Sequence, residues 1–325
     1  MHWIFLALWC VAVGAQAGTD LPGLAKAAEY SASRGETALL VCQNGRTVYQ
    51  RARRPGVPQR IFSMTKSLVS IGVFRDAKTG GLSLGQPARH RAVQGVALSD
   101  LLNQISGLPA AAREFYSQGL KDKEPVLGRL RTKGNGGAFV YGPSHWEVLA
   151  EEIGAQRGPS VDRWVRKFVP GARPEALARW TRDNRGRLFF STGARMDAND
   201  LLPAGREVLD GLQRGKWPPE VRAMLAQGTQ ANRMYALGFW LNRGASGPAA
   251  REIDVEGSLG RDQSAEFWSN ACLSRNAPSD LLAMIGTRGQ RMYIVPSRNL
   301  VVIRQGDGHG FSDAEFLRQL FAAKL

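Results

Sequence analysis

Cysteine and histidine are scarce in this chain of 325 residues, with three of the first and four of the second and no cluster of either. Protein zinc sites group Cys and His at short spacings, so the sequence predicts no metal centre. Neither a phosphate loop nor a dinucleotide fingerprint occurs, and no cofactor is expected. Long apolar runs are missing apart from one near the start. Trp3 to Val13 is apolar over 11 residues, too short to span a bilayer. The run leads to Ala15-Gln16-Ala17, a small-x-small cleavage pattern. Residues 1–17 therefore read as a cleaved signal peptide, and 18–325 as a periplasmic or secreted protein with no stable membrane insertion. Cys10 falls in the leader. Cys42 and Cys272 remain, and an oxidising compartment permits one disulfide between them. Burial of both as small apolar residues is the alternative, and their spacing does not decide.

Acidic residues are also few. Lys and Arg number 43 against 28 Asp and Glu, a net charge of +15. No nucleic-acid motif accompanies this charge, so nucleic acid is not an expected partner. Anionic cell-envelope polymers suit an exported basic protein, and a solvated Arg-rich surface with no partner is the simpler reading. Hydrophobic residues make up 43% of the chain, enough for one large core or two intimate ones.

The pattern places strands at both ends and helices between. Glu36 to Ala52 predicts a hairpin, because Thr37-Ala38-Leu39-Leu40-Val41 is apolar and Asn44-Gly45 is a type I′ turn signal. Phe62 to Phe74 has Leu68, Ile71 and Phe74 at helical spacing, and Gly80 and Gly81 stop it. Ser99 predicts the cap of a helix over 100–105. Ser144-His145-Trp146-Glu147 reads as a capping box that starts another. Tyr235 to Asn242 alternates like a strand, Gln290–Val295 and Leu300–Arg304 flank a turn, and Ser312-Asp313-Ala314-Glu315 opens a C-terminal helix. The predicted fold class is α+β. One antiparallel sheet is built from both chain ends (about 18–80 and 235–325) and flanked by helices, with a mainly helical subdomain inserted over about 81–234.

Ser63-Met64-Thr65-Lys66 is a Ser-x-x-Lys tetrad at the start of a predicted helix. Residues i and i+3 share a helix face, so the amine can reach the hydroxyl. A hydroxyl nucleophile needs a base, and a lysine serves if burial or a nearby cation lowers its pKa. The helix N-terminus offers the Ser63 N–H to a developing oxyanion. Alone the tetrad is a weak signal, since an exposed Ser and Lys on an ordinary helix has the same letters.

Further segments in order sharpen it. Ile61-Phe62-Ser63-Met64-Thr65-Lys66-Ser67, Leu101-Leu102-Asn103-Gln104-Ile105-Ser106-Gly107-Leu108, Phe139-Val140-Tyr141-Gly142-Pro143-Ser144, and Gly286-Thr287-Arg288-Gly289-Gln290 with Tyr293-Ile294-Val295-Pro296 form one set. This set resembles the serine β-lactamase and penicillin-binding protein superfamily, in its class C β-lactamase-like branch of esterases, D-alanyl-D-alanine carboxypeptidases and aminohexanoate-dimer hydrolases. The resemblance spans about residues 36 to 322. It implies a β-lactamase/transpeptidase-like fold and a serine hydrolase that cleaves a small ester or amide. Ser63 would be the acylated nucleophile, Lys66 its base, and Tyr141 a proton relay whose pKa Lys66 lowers. The N–H groups of Ser63 and Thr287 would form the oxyanion hole, on a strand opening at Gly286-Thr287-Arg288. Arg288, Ser144 and His145 would border the substrate.

Two departures from the branch bear on the substrate. Pro143 stands where the second motif usually has Asn, and the usual Lys/His-Thr/Ser-Gly triplet is missing at 286–288. Both weaken the β-lactamase and carboxypeptidase readings and favour an esterase or amidase. They also leave open a non-catalytic binding module on the same fold. An unrelated hydrolase using His145, or His309 in the loop 306–310, is a third reading.

Overall fold

The computed structural model describes residues 20–322 except 118–120, 134–135, 159, 244–248, 261–262 and 309. The leader read at 1–17 and His309 therefore lie outside the described residues.

Eleven strands are present among these residues. They are β1 (Glu36–Gln43), β2 (Arg46–Ala52), β3 (Gln59–Arg60), β4 (Arg195–Met196), β5 (Tyr235–Ala236), β6 (Phe239–Leu241), β7 (Arg251–Glu252), β8 (Ala271–Cys272), β9 (Leu282–Gly286), β10 (Gln290–Val295) and β11 (Leu300–Gly306). Seven of them form one sheet in the order β2-β1-β11-β10-β9-β6-β5. The pairing of β1 with β11 joins the two chain ends, and every neighbour is antiparallel. This is the predicted α+β architecture.

Side chains alternate between two cores, as a pleated strand requires. Leu40, Cys42, Met292, Ile294, Val301 and Ile303 enter one apolar cluster, and Leu39, Val41, Tyr293, Val295, Leu300 and Val302 enter the other. Helices cover both faces, which is why β1 and β11 read as nearly continuous apolar runs instead of alternating ones. The first helix, Leu24–Ser33, and the last, Asp313–Leu320, pack together on one side. Met64–Lys78 and Ala198–Gln213 lie against the sheet on the other. Met64–Lys78 is buried on nearly every side, including its polar residues Thr65, Lys66, Ser67, Ser70 and Asp76. Asp76 is held there by Arg157 at 2.7 Å and by the Trp164 indole N–H at 2.8 Å.

Several local expectations hold. Asn44 and Gly45 both have positive φ, 51° and 77°, as a type I′ turn needs. Ser312 caps the last helix by accepting from the Glu315 N–H. Others are corrected. The helix expected over 100–105 runs over Leu98–Leu102, with Ala97 rather than Ser99 before it; Ser99 lies inside the first turn, and its N–H bonds to the Leu84 carbonyl at 2.8 Å. Tyr235 to Asn242 is no single strand but a tight hairpin. Leu237 and Gly238 turn it with φ of 48° and 85°, and the Asn103 carboxamide fixes the Leu237 N–H at 2.7 Å. The question left open for Cys42 and Cys272 is answered, since both are free, buried thiols. Among the described residues no helix is long and apolar enough to cross a membrane.

Candidate active site

The nucleophile segment is fixed from both sides before its helix begins. Phe62 has a left-handed φ of 48°, costly for an aromatic residue and sustained only by its surroundings. The Ile61 N–H bonds to the Ala194 carbonyl at 3.2 Å, and the Thr65 hydroxyl donates to the Phe62 carbonyl at 2.7 Å. The Ala194 N–H in turn reaches the Thr65 hydroxyl at 3.1 Å. Ser63 follows as the N-cap of Met64–Lys78.

Lys66 Nζ lies 2.8 Å from Ser63 Oγ and also donates to the Ser191 carbonyl at 3.1 Å. Its side chain is 1% exposed. Burial brings its pKa down to about 7, against the opposing pull of Glu147. A substantial neutral fraction is therefore present near neutral pH, and a neutral amine can take the Ser63 proton. The 4.9 Å from Nζ to the Tyr141 ring brings the third expected residue to the same point.

Tyr141 corrects one expectation. Its pKa is raised to about 12, not lowered, because burial disfavours the phenolate more than the hydrogen bond with Ser63 favours it. Phe139, Tyr235 and Trp240 have ring centroids 5.7–6.3 Å from its own. Tyr141 thus stays a protonated hydroxyl that donates and accepts, while Lys66 is the group poised to change charge. Gln104 holds the tyrosine segment through the Gly142 N–H at 2.7 Å and the Val140 N–H at 3.0 Å. That clamp is the structural work of the segment Leu101–Leu108.

Ser144 and His145 do not join the site. The Ser144 side chain is buried and donates to the Pro109 carbonyl, and Pro143, not Ser144, occupies the cap position. The apparent capping box fails because Glu147 is engaged elsewhere. His145 is fully buried between the Ser106 hydroxyl and the Val140 carbonyl, each at 2.9 Å. Burial pushes its pKa down to about 4, so it is a neutral structural residue. One Gly-x-Ser-x-Gly string exists, Gly81 to Gly85, but Ser83 sits on an exposed turn after a helix. A nucleophile elbow needs a strand before it and a helix after it.

Gly286 ends β9 rather than opening a strand, and Thr287, Arg288 and Gly289 form the turn into β10. The close packing of Gly286 is demanding, since a Cβ there would lie 2.2 Å from the Ile61 carbonyl oxygen. This contact sets Thr287 beside the nucleophile segment. The buried Arg291 secures it from behind, donating to the Gly286 carbonyl at 2.6 Å while paired with Asp313 at 2.6 Å. The N–H groups of Ser63 and Thr287 donate no hydrogen bond among the described residues, and both residues line one cleft of about 530 Å³. Arg60, Phe62, Phe115, Tyr116, Phe189 and Thr192 form much of the rest of its wall.

A second layer has no signal in the sequence. Glu147 is fully buried, pairs with Lys123 at 2.8 Å, and accepts from both the N–H and the hydroxyl of Ser191, at 3.0 and 2.6 Å. The Ser191 carbonyl is the one that Lys66 contacts, so this ion pair positions the general-base candidate. Partners separated by 24 positions show no spacing that would have revealed them.

By fold the chain is an α+β protein with an antiparallel sheet between helices. The family model for Beta-lactamase matches residues 23–305, and the chain belongs to that family, whose members are generally hydrolases. No curated protein sequence matches it. Among solved structures it is similar to a class C beta lactamase from Rhodobacter sphaeroides, with 17% identity, TM-score 0.61, and 92% of this chain and 97% of that one covered. It is similar to a D-stereospecific amidohydrolase from Streptomyces sp., with 13% identity, TM-score 0.61, and 94% and 100% covered. A third is EstCE1, a hydrolase with promiscuous acyltransferase activity, with 13% identity, TM-score 0.64, and 92% and 98% covered. At these identities the likeness concerns the fold.

Proposed function

We propose that this protein is an exported serine hydrolase that cleaves a small ester or amide through an acyl-enzyme on Ser63. The observation that carries the reading is the 2.8 Å contact between Ser63 Oγ and a buried Lys66 amine whose pKa lies at about 7. Neutral Lys66 takes the Ser63 proton as Oγ bonds to the substrate carbonyl carbon. The unpaired N–H groups of Ser63 and Thr287 receive the oxyanion. As the tetrahedral intermediate collapses, the bond to the leaving oxygen or nitrogen breaks. The proton from Lys66 reaches that atom through the Tyr141 hydroxyl. Water then attacks the ester carbonyl on Ser63 and gives its proton to the same pair; the bond to Oγ breaks, the pair returns that proton to Ser63 Oγ, and the acid is freed.

Pro143 supplies no side-chain amide, and the turn Thr287-Arg288-Gly289 lacks the basic triplet. Both support an ester or linear amide over a β-lactam or a D-Ala-D-Ala stem. The leader pattern at 1–17 supports the export. The test is turnover of a p-nitrophenyl short-chain ester. Ser63→Ala and Lys66→Met should each abolish it with the fold intact by circular dichroism, and undiminished turnover in either variant would refute the mechanism.

A further inference from the structure

A trans peptide points its N–H and its carbonyl in opposite directions, so each N–H offered to the oxyanion has a carbonyl on its far side. Both of those carbonyls are engaged from behind. The peptide that carries the Ser63 N–H ends in the Phe62 carbonyl, which accepts from the Thr65 hydroxyl at 2.7 Å and the Thr65 N–H at 2.9 Å. Thr65 is fully buried, and the Ala194 N–H holds its hydroxyl at 3.1 Å. The peptide that carries the Thr287 N–H ends in the Gly286 carbonyl, which accepts from Arg291 Nη1 at 2.6 Å. Arg291 is 1% exposed, and each of its three side-chain nitrogens has a partner. Nε and Nη2 donate to the Asp313 carboxylate at 2.6 and 3.1 Å, and Nη2 also lies 2.8 Å from Glu256. Nη1 faces the other way, toward the Gly286 and Gln290 carbonyls. One edge of the guanidinium thus meets its acids and the other meets the turn.

A hydrogen bond accepted by a carbonyl draws electrons from the amide nitrogen and makes the N–H of the same peptide a stronger donor. It also fixes the plane in which that N–H points. A charged donor has the larger effect. We infer that Arg291 and Thr65 are positioning residues of the oxyanion site, each polarising and aiming one of its two N–H donors through a single peptide group. The inference rests on the proposed role of Ser63. A second buried guanidinium gives the contrast. Arg304 Nη1 donates to the Gly289 carbonyl at 2.7 Å, in the same turn, but that carbonyl shares its peptide with the Gln290 N–H and not with the Thr287 N–H. Arg304 therefore holds the turn without strengthening either donor.

The test compares p-nitrophenyl butyrate with its thiono analogue, in which sulfur replaces the carbonyl oxygen and accepts hydrogen bonds weakly. The ratio of their kcat/KM values reads the strength of the oxyanion donors and cancels damage that falls on both esters alike. Loss of a whole oxyanion donor costs about 10²–10³-fold, and reinforcement supplies about 10–30% of a bond. Thr65→Val and Arg291→Met should therefore each lower the oxo-to-thiono ratio about two- to eightfold. Thr65→Ser should restore it, and Arg304→Met should slow both esters equally if it slows either. Should Arg291→Met fail to fold for want of a cation beside Asp313, the double variant with Asp313→Asn removes both charges and takes its place. An unchanged ratio in Thr65→Val and the Arg291 variant, or a fall in Arg304→Met as large as in the Arg291 variant, overturns the inference. The nitrogen chemical shift of an amide responds to hydrogen bonding at its own peptide's carbonyl, and so reads the polarisation without chemistry. In protein labelled at serine and threonine nitrogens, the Ser63 resonance should move upfield in Thr65→Val and the Thr287 resonance in the Arg291 variant, each leaving the other in place. Those shifts without turnover of either ester would support the polarised donors and fault the Ser63 mechanism alone. Unmoved resonances overturn the inference.

Discussion

Gly286→Ala tests how closely the oxyanion turn depends on the nucleophile segment. The added methyl would lie 2.2 Å from the Ile61 carbonyl oxygen, against about 3.3 Å for an ordinary carbon–oxygen contact. Something must move by about 1 Å, and both candidates are backbone. Either Ile61 withdraws and carries Ser63, two residues on, or the end of β9 withdraws and carries Thr287. A misplacement of about 1 Å between a nucleophile and its oxyanion donor costs on the order of a hundredfold in rate. Overpacking of this kind costs about 1–3 kcal/mol of stability, which leaves a protein of this size folded. The expected result is a kcat for p-nitrophenyl butyrate about a hundredfold below wild type, with KM little changed, since the aromatic wall of the cleft is untouched. Circular dichroism and a urea melt would confirm the fold. A folded Gly286→Ala variant with kcat within twofold of wild type would refute the reasoning, because Thr287 could not then be an oxyanion donor held by this contact.

The acid limb of kcat/KM should follow Lys66, whose neutral form is the base, and with a pKa at about 7 the rate should rise about tenfold from pH 6 to pH 8. In Glu147→Gln the negative charge that raises the Lys66 pKa is gone, so the limb should move to lower pH, and Lys123 is left buried without its acid at a cost of about 3–5 kcal/mol in urea unfolding. An unmoved limb would detach Lys66 from the rate. His145 should govern acid stability rather than chemistry. Unfolded, it binds a proton below about pH 6.5, and folded, it refuses one until about pH 4, so its contribution is complete above pH 6.5 and lost as pH falls to 4, on the order of 3 kcal/mol in all. His145→Asn should remove that part of the pH dependence and keep ester turnover at neutral pH within a few-fold; loss of turnover in a folded variant would place His145 in the reaction after all.

The legible parts of this chain are those whose cause is local. Asn44-Gly45 announced its turn because few residues tolerate two consecutive positive φ values. Ser63 and Lys66 met because helix geometry brings i and i+3 together. The order of segments then placed Tyr141 and Thr287 near them. What was hidden depends on contacts distant in the chain. The Leu237-Gly238 turn reads as strand, since only Asn103 makes a left-handed leucine tolerable. Ser144 and Glu147 have the letters of a capping box, but the first bonds to Pro109 and the second to Lys123 and Ser191. The expected effect of Lys66 on Tyr141 lost to burial, which sequence cannot weigh. Arg60 and Arg195 face each other across 135 positions, and no pattern in either segment predicts it.

The central claim is that Ser63 carries the acyl group, and the direct measurement is the mass of the protein caught in turnover. Acid quenching within milliseconds of mixing with p-nitrophenyl butyrate, followed by peptide mapping, should reveal a butyryl group on the peptide that holds Ser63. Ser63→Ala should show none. An acyl group on another residue, or ester turnover with Ser63 never modified at any quench time, would contradict the account.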